Sequence, residues 1–250
     1  MQYNPFSLEG KTILVTGASS GIGQTTAVEC SKMGAKVVIT ARKPDKLQET
    51  FDMLEGDGHI QILADLTRED DIIKLVDELP QLDGAVNNAG VAGTTLVSFY
   101  TKEEIEKLFN INTLAAVLIT KLLVKKKKLK KPSSIVFTSS AEGVFGCTLA
   151  NGIYGMTKAA LNSFMLTAAQ EFGRKGIRCN TVNPSLVETR MAQPSGAISK
   201  EQIDTYKNKY PLGRLGNPKD IAWAIIYLLS DASSWITGTA LKIDGGITLV

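Results

Sequence analysis

The sequence predicts an α/β fold built on a doubly wound, parallel, seven-stranded sheet. Short runs rich in Val, Ile and Thr alternate with segments of helical spacing through most of the 250 residues. The strand candidates are continuous apolar runs, which is typical of a parallel sheet covered by helices on both faces. A glycine-rich turn directly follows the first of these runs and opens the first helical pattern.

Each element is placed by its own local pattern. A loop is predicted after the sixth strand, where Pro184–Pro211 is rich in Pro, Ser and Gly; this is the sheet edge at which open α/β folds bind ligands. We expect one domain over residues 1–250, with a substrate loop at about 185–211. The predicted strands are Thr12–Thr16, Lys36–Thr40, Ile60–Ala64, Gly84–Asn87, Ser134–Ser139, Arg178–Asn183 and Leu241–Ile243. The predicted helices are Gly23–Met33, Lys46–Leu54, Glu69–Glu78, Lys102–Lys125, Tyr154–Arg174 and Pro218–Ser230.

Composition indicates an ordinary globular chain, with 44% hydrophobic and 21% charged residues and a net charge of +3. Three widely spaced cysteines, with no Cys-x-x-Cys pair, indicate buried thiols in a reducing compartment rather than disulfides, although Cys147 lies between motif segments and is expected to be accessible. No secretory signal is apparent at the start, and the longest apolar run, Ile221–Leu229, is too short to span a bilayer. We therefore expect a cytoplasmic protein that does not enter a membrane.

The only local concentration of charge is Lys125–Lys131, with six lysines in seven residues. We interpret it as a solvated helix C-terminus, where the helix dipole favours cations, ended by Pro132. Binding of a nucleic acid or of an acidic protein is the alternative. His59 is the only histidine, and no second ligand type clusters near it, so the sequence predicts no metal site.

The glycine-rich turn, Thr16–Gly23, has the context of a dinucleotide-binding site. Glycines allow the backbone to approach a pyrophosphate, and the free N–H groups at the start of the helix receive its charge. At the end of the second strand Ala41 offers no carboxylate for the ribose 2′-hydroxyl of NAD, whereas Arg42 and Lys43 can meet a 2′-phosphate. NADP(H) is therefore the expected cofactor, and Asp45 keeps NAD(H) as the alternative.

Tyr154 and Lys158 lie four residues apart and so share one face of their predicted helix. A free phenol has a pKa of about 10, and a neighbouring ammonium favours its anion. We therefore expect Lys158 to lower the pKa of Tyr154, which would exchange a proton with a substrate oxygen.

These motifs, from about Lys11 to Gly246, resemble those of the short-chain dehydrogenase/reductase family, which has a Rossmann fold. The resemblance implies an oxidoreductase that forms a dimer or tetramer. It assigns catalysis to Ser140, Tyr154 and Lys158, with Asn112 helping to hold a proton-relay water. It assigns cofactor contacts to Gly17, Ser19, Ser20, Gly21, Ile22, Gly23, Arg42, Asp65, Leu66, Asn88, Ala89, Gly90, Tyr154, Lys158, Val187 and Thr189.

The sequence departs from the family pattern at two places. The interval from Ser140 to Tyr154 is one residue longer than usual, which leaves Ser139 as an alternative to Ser140. Asn183-Pro184-Ser185 stands where the family has Asn-Pro-Gly.

The sequence is compatible with several functions. The leading one is an NADP(H)-dependent reductase of ketones, with a mostly apolar lining from Val144, Phe145, Leu149, Leu186 and Met191. A 3-oxoacyl-carrier-protein reductase is an alternative because the lysine run and Arg174-Lys175 could attract an acidic carrier. A sugar or dicarbonyl reductase, a catalytically silent cofactor-binding protein and, most remotely, an RNA-binding protein are the others.

Overall fold

The protein is built around a parallel sheet in the computed structural model, which describes residues 3–189 and 206–249. The seven strands follow the spatial order β3-β2-β1-β4-β5-β6-β7. This confirms the predicted doubly wound architecture. The strands are β1 Thr12–Thr16, β2 Lys36–Ala41, β3 Ile60–Leu63, β4 Leu82–Asn87, β5 Leu129–Thr138, β6 Ile177–Pro184 and β7 Ala240–Ile243.

Helices cover both faces of the sheet at its inner strands, where successive side chains are buried on both sides. Along β1, Ile13 and Val15 pack into one core cluster, whereas Leu14 packs into the other. The strand order reverses at β1, which lies between β2 and β4, so a crevice is expected at the C-terminal ends of these strands. The helices are α1 Gly21–Lys32, α2 Pro44–Phe51, α3 Glu69–Glu78, α4 Lys102–Phe109, α5 Ala115–Lys125, α6 Gly152–Gly173 and α7 Pro218–Leu229.

The lysine run does not form the solvated helix end that the sequence suggested. Helix α5 stops at Lys125, and the run continues through a turn into β5, which begins at Leu129. Pro132 is accommodated because the pairing of β4 with β5 shifts register between Leu82 and Gly84, and an irregularity of this kind is where a strand tolerates proline. Part of the run is tied to the protein, since Lys126 pairs with Asp77 and Lys130 with Asp83.

The predicted helix Lys102–Lys125 is divided by a π-helical turn at Asn110–Leu114. Among the described residues this is the one helical stretch long and apolar enough to cross a membrane by length and composition alone. Several of its apolar side chains, including Ile119 and Leu123, are buried in the core.

Candidate active site

The glycine-rich turn leaves no room for side chains on the side that faces β4. A Cβ on Gly17 would lie 2.7 Å from the Ala89 Cα, and one on Gly23 would lie 2.3 Å from the Gly17 carbonyl oxygen. Gly17 and Gly21 also have φ of 65° and 58°, values that favour glycine. The turn therefore has the tight, bare backbone that a pyrophosphate requires at the N-terminus of a 12-residue helix.

Side chains of neighbouring strands hold this turn in place. The Thr16 hydroxyl accepts hydrogen bonds from the Asn88 and Ala89 N–H groups at 2.9 and 3.1 Å. In return, the Asn88 amide donates to the Thr16 carbonyl at 3.1 Å. The segment Asn88–Gly90 therefore lies directly beside the turn.

The end of β2 presents a cation to the same crevice. Arg42 follows β2 directly and is exposed, whereas Ala41 is buried and supplies no carboxylate. Hydrogen bonds from the backbone and hydroxyl of Thr67 hold the pKa of Asp65 below its ordinary value, and the charge of Arg42 acts in the same direction. Asp65 therefore stays ionised, and Leu66 beside it is buried.

The structure separates the roles of the two adjacent serines. The Ser139 hydroxyl donates to the Lys158 carbonyl at 2.8 Å and accepts from the Asn162 amide at 2.6 Å. Ser140 instead donates weakly to the Pro184 carbonyl at 3.3 Å. Its hydroxyl also lies near enough to the Tyr154 phenol to act on it by hydrogen bonding, which lowers the pKa of the phenol. Ser140 is thus the serine whose hydroxyl meets the phenol, despite the longer interval between them.

Tyr154 and Lys158 lie on the first turns of α6, which begins at Gly152. The Lys158 ammonium is 5.7 Å from the centre of the Tyr154 ring. It also donates to the Thr138 carbonyl at 2.8 Å, and the side chain is only 4% exposed. The expected proximity of phenol and ammonium is therefore present.

The ionisation of this pair differs from the expectation. Burial raises the pKa of the Tyr154 phenol; the hydrogen bond with Ser140 opposes this rise, and the negative charge of Glu142 adds to it. Burial also lowers the pKa of Lys158 to about 8. The prediction that Lys158 lowers the pKa of Tyr154 is wrong for this arrangement, because loss of hydration dominates at both groups.

Asn112 lies in the π-helical turn, buried against α6 and the loop after β4. Its side-chain oxygen accepts from the Val91 N–H at 2.8 Å, and its amide donates to the Thr157 hydroxyl at 3.1 Å. A Cβ on Gly90 would lie 3.0 Å from the Asn112 oxygen and 3.4 Å from the Lys158 nitrogen. Asn112, Gly90 and Lys158 therefore meet at one point, and π-helical turns recur at functional sites.

The loop after β6 reaches back over the glycine-rich turn. A Cβ on Gly21 would lie 3.2 Å from the Thr189 methyl group, and Val187 is buried beside Gly216. Leu186 and Val144 are partly buried, whereas Leu149 is 83% exposed and so does not line an enclosed pocket. Met191 and most of the predicted loop at 185–211 lie outside the described residues.

The roles of three residues in the site were not predicted. Thr16 ties the glycine-rich turn to β4, and Asn162 links Ser139 to the Asn183 side chain. Glu142 lies between Ser140 and Tyr154, in the loop that the sequence predicted to be mostly apolar. A buried polar residue one turn beyond Lys158 would have indicated Asn162, but nothing in the sequence distinguishes the other two.

Within the described residues, no group of three His, Cys, Asp or Glu side chains could share a metal ion. His59 has a structural role, since its Nδ1 accepts from the Val37 N–H at 3.0 Å. Cys30 and Cys179 are buried free thiols, and Cys147 is exposed.

A dinucleotide cradle, a hydroxyl–phenol pair and a buried lysine at one sheet edge define a nicotinamide-dependent oxidoreductase. The chain belongs to the short-chain dehydrogenase/reductase family. A family model described as enoyl-(acyl carrier protein) reductase matches residues 17–248. This membership confirms the resemblance seen in the motifs.

Curated relatives and solved structures match nearly the whole chain. A 3-oxoacyl-acyl-carrier-protein reductase of Rickettsia prowazekii is 31% identical over 250 residues, covering 97% of this chain and 99% of the relative. An L-rhamnose 1-dehydrogenase (NAD(P)(+)) of a Sphingomonas species is 33% identical, covering 96% and 97%. The crystal structure of a short-chain dehydrogenase/reductase from Mycobacterium marinum has a TM-score of 0.89 at 30% identity and covers 98% of each chain. The relatives thus act on different substrates within one family.

Proposed function

We propose that this protein is an NADP(H)-dependent reductase of ketones, working reversibly on the corresponding secondary alcohols. The observation that carries the proposal is the meeting of Ser140, Tyr154 and Lys158 at the C-terminal edge of the sheet, beside the glycine-rich turn. When bound, the nicotinamide supplies or accepts the hydride. The protein supplies the groups that hold the substrate oxygen and manage its proton.

Ser140 and Tyr154 would act together on the substrate oxygen. The Ser140 hydroxyl would donate a hydrogen bond to the carbonyl oxygen, which stabilises the negative charge that develops there. The phenol of Tyr154, whose raised pKa keeps it protonated at neutral pH, would give its proton to the same oxygen. Lys158 would hold the nicotinamide ribose, and Asn112 would hold a water that restores the proton.

Removal of the Tyr154 hydroxyl tests this assignment. Tyr154→Phe should lower kcat for ketone reduction by at least about 100-fold, the usual contribution of a general acid, and leave the Kd for NADPH within about threefold. Tyr100→Phe is the matched control, because the Tyr100 hydroxyl is buried near α6 and has no hydrogen-bond partner among the described residues. Turnover that survives in Tyr154→Phe would exclude the proposed role.

The preference for NADP(H) is proposed from Arg42 at the end of β2. An exposed guanidinium can bind a 2′-phosphate, and the buried Ala41 before it cannot bind a 2′-hydroxyl. Parallel assays with NADPH and NADH should give a higher kcat/KM with NADPH. A higher value with NADH would reject this part of the proposal.

A second candidate substrate is a 3-oxoacyl thioester on an acidic carrier protein, the substrate class in the printed name of the Rickettsia relative. The supporting observation is a basic cluster that we define as Lys131, Arg174 and Lys175. A Cβ on Gly176 would lie 3.8 Å from the Lys131 Cβ, so β5 brings Lys131 beside the other two exposed cations. The cluster lies at the opposite end of β5 from Ser140, so it would attract a carrier rather than position its acyl chain.

The two candidate substrates are distinguished by presenting the same acetoacetyl group on a carrier protein and on a small thiol. Lys131→Glu combined with Lys175→Glu should lower kcat/KM for an acetoacetyl carrier protein by about tenfold at low salt, because steering depends on charge. The same variant should leave kcat/KM for the small N-acetylcysteamine thioester unchanged. An equal effect on both thioesters, or on neither, would argue against a carrier-docking role.

A further inference from the structure

Glu142 is fixed in the loop that joins Ser140 to Tyr154. Its carboxylate accepts two hydrogen bonds from Thr148, one from the backbone N–H at 2.5 Å and one from the hydroxyl at 2.7 Å. Its own N–H donates to the Ser140 hydroxyl at 3.1 Å. The negative charge is therefore anchored two residues from the serine rather than free to turn into solvent.

The same loop is pressed against the helix that carries Tyr154. A Cβ on Gly143 would lie 2.3 Å from the Gly155 carbonyl oxygen, and one on Gly155 would lie 3.6 Å from the Glu142 Cγ. The Gly143 N–H donates to the Gly146 carbonyl at 2.7 Å, which closes the loop on itself. Backbone packing thus sets where the Glu142 carboxylate lies relative to Tyr154.

The charge of Glu142 acts on both sides of the space in front of Ser140. Burial raises the pKa of Tyr154 on α6 and that of Tyr206, and the charge of Glu142 adds to both shifts. Three cations lie near this space among the described residues. Lys158 donates to the Thr138 carbonyl, and Lys242 donates to the Thr248 hydroxyl. The Lys209 ammonium lies 5.5 Å from the centre of the Tyr206 ring. Glu142 therefore adds a fixed negative charge beside the substrate position.

We propose that Glu142 is a specificity-determining residue that disfavours carbonyl substrates bearing an anionic group near the reacting carbon. A carboxylate on such a substrate would be brought close to a fixed charge of the same sign in a partly desolvated site. Neutral ketones, esters and thioesters escape this repulsion. The inference rests on the proposed function, because it concerns the substrate class of the same site.

A matched pair of substrates and a matched pair of variants test this role. Acetoacetate and methyl acetoacetate share one carbon skeleton and differ in charge. Glu142→Gln removes the charge and retains groups that can hydrogen-bond to Thr148; Glu106→Gln makes the same change on an exposed face of α4, where Glu106 pairs with Lys102 at 3.5 Å.

We expect Glu142→Gln to raise kcat/KM for acetoacetate about tenfold relative to methyl acetoacetate, which corresponds to about 1.4 kcal/mol. Glu106→Gln should leave the ratio unchanged. In the wild-type protein, salt should raise the relative kcat/KM for acetoacetate, because it screens the repulsion. An unchanged ratio in a folded Glu142→Gln variant would overturn the inference. If that variant does not fold, a salt-independent wild-type ratio would overturn it.

A binding measurement separates this inference from the proposed function. If the wild-type protein reduces neither compound, the ketone reductase assignment fails. Calorimetric titration of acetoacetate into the NADPH complex then decides the role of Glu142, with about tenfold tighter binding expected in Glu142→Gln. Equal affinities of the wild type and Glu142→Gln for acetoacetate, or no binding of acetoacetate to either protein, would overturn the proposed role of Glu142.

Discussion

Replacement of Lys158 by Met should make the protein more stable and inactive at neutral pH. Burial lowers the pKa of Lys158 from 10.5 to about 8, a difference of about 2.5. At 1.36 kcal/mol per pKa unit, the protonated lysine costs the folded state about 3 kcal/mol at pH 7. Met has nearly the same shape and requires no hydration, so the variant avoids this cost.

The loss of one hydrogen bond offsets part of the gain. The Lys158 ammonium donates to the Thr138 carbonyl at 2.8 Å, and a buried acceptor left without a donor costs about 1–3 kcal/mol. We therefore expect the free energy of unfolding of Lys158→Met to exceed that of the wild type by up to about 2 kcal/mol at pH 7.

The pH dependence identifies the cause. Because the folded-state pKa is lowered, the unfolded chain binds more protons between pH 8 and pH 10.5, so wild-type stability rises with pH in this window. The advantage of Lys158→Met should shrink there by about 1.4 kcal/mol per pH unit. Cys30 and Cys179, whose pKa values burial raises to about 12, act equally in both proteins and cancel in the difference.

Urea unfolding of both proteins from pH 7 to pH 10, without nucleotide, measures this difference. Lys158→Arg is a useful control, because it retains the charge and should show no stabilisation. A stability difference that does not change with pH would refute the argument that Lys158 is a desolvated cation.

Three further predictions concern the cofactor turn and the serines. Gly23→Ala would bring a Cβ to 2.3 Å from the Gly17 oxygen. We expect the free energy of unfolding to fall by several kcal/mol, and fluorescence titration to show weaker NADPH binding. Wild-type affinity for NADPH would contradict this prediction. Ser140→Ala should lower kcat about 100-fold. Ser139→Ala removes a buried hydrogen bond to the Lys158 carbonyl and should instead lower the melting temperature. A loss of kcat in Ser139→Ala together with a lower melting temperature in Ser140→Ala would exchange the roles of the two serines. Arg42→Ala should reduce kcat/KM with NADPH about tenfold and leave that with NADH unchanged, and an equal loss with both would exclude 2′-phosphate recognition.

Local patterns were sufficient to predict most of the fold. All seven strands were predicted with ends within a few residues, apart from the start of β5. Continuous apolar runs identify buried parallel strands, and a glycine-rich turn between strand and helix identifies the cofactor crevice, because both signals lie within a few consecutive residues.

The errors arose where distant residues determine the local structure. Residues Leu129–Ser133 join β5 because Leu82 and Ile177 supply pairing partners, which a lysine-rich segment with a proline does not suggest. The π-helical turn at Asn112 keeps the apolar spacing of a continuous helix, so periodicity alone does not reveal it. Glu142 acquires its position from packing against Gly155, a contact that no short motif encodes.

The ionisation of Tyr154 determines a final prediction. Because its pKa is raised, the phenol is protonated at neutral pH and serves as a proton donor, the role that ketone reduction requires. Alcohol oxidation requires the phenolate. As long as the pH stays below the raised pKa, the phenolate fraction increases about tenfold for each unit by which the pH rises. We therefore expect kcat/KM for oxidation to increase steadily from pH 7 to pH 10, while kcat/KM for reduction stays level or falls. Steady-state measurements of kcat/KM against pH, for oxidation and for reduction, test this prediction. An oxidation optimum below pH 7 would contradict it. That result would mean that the charge of Lys158, despite the lowered pKa of this lysine, outweighs the effect of burial on the phenol.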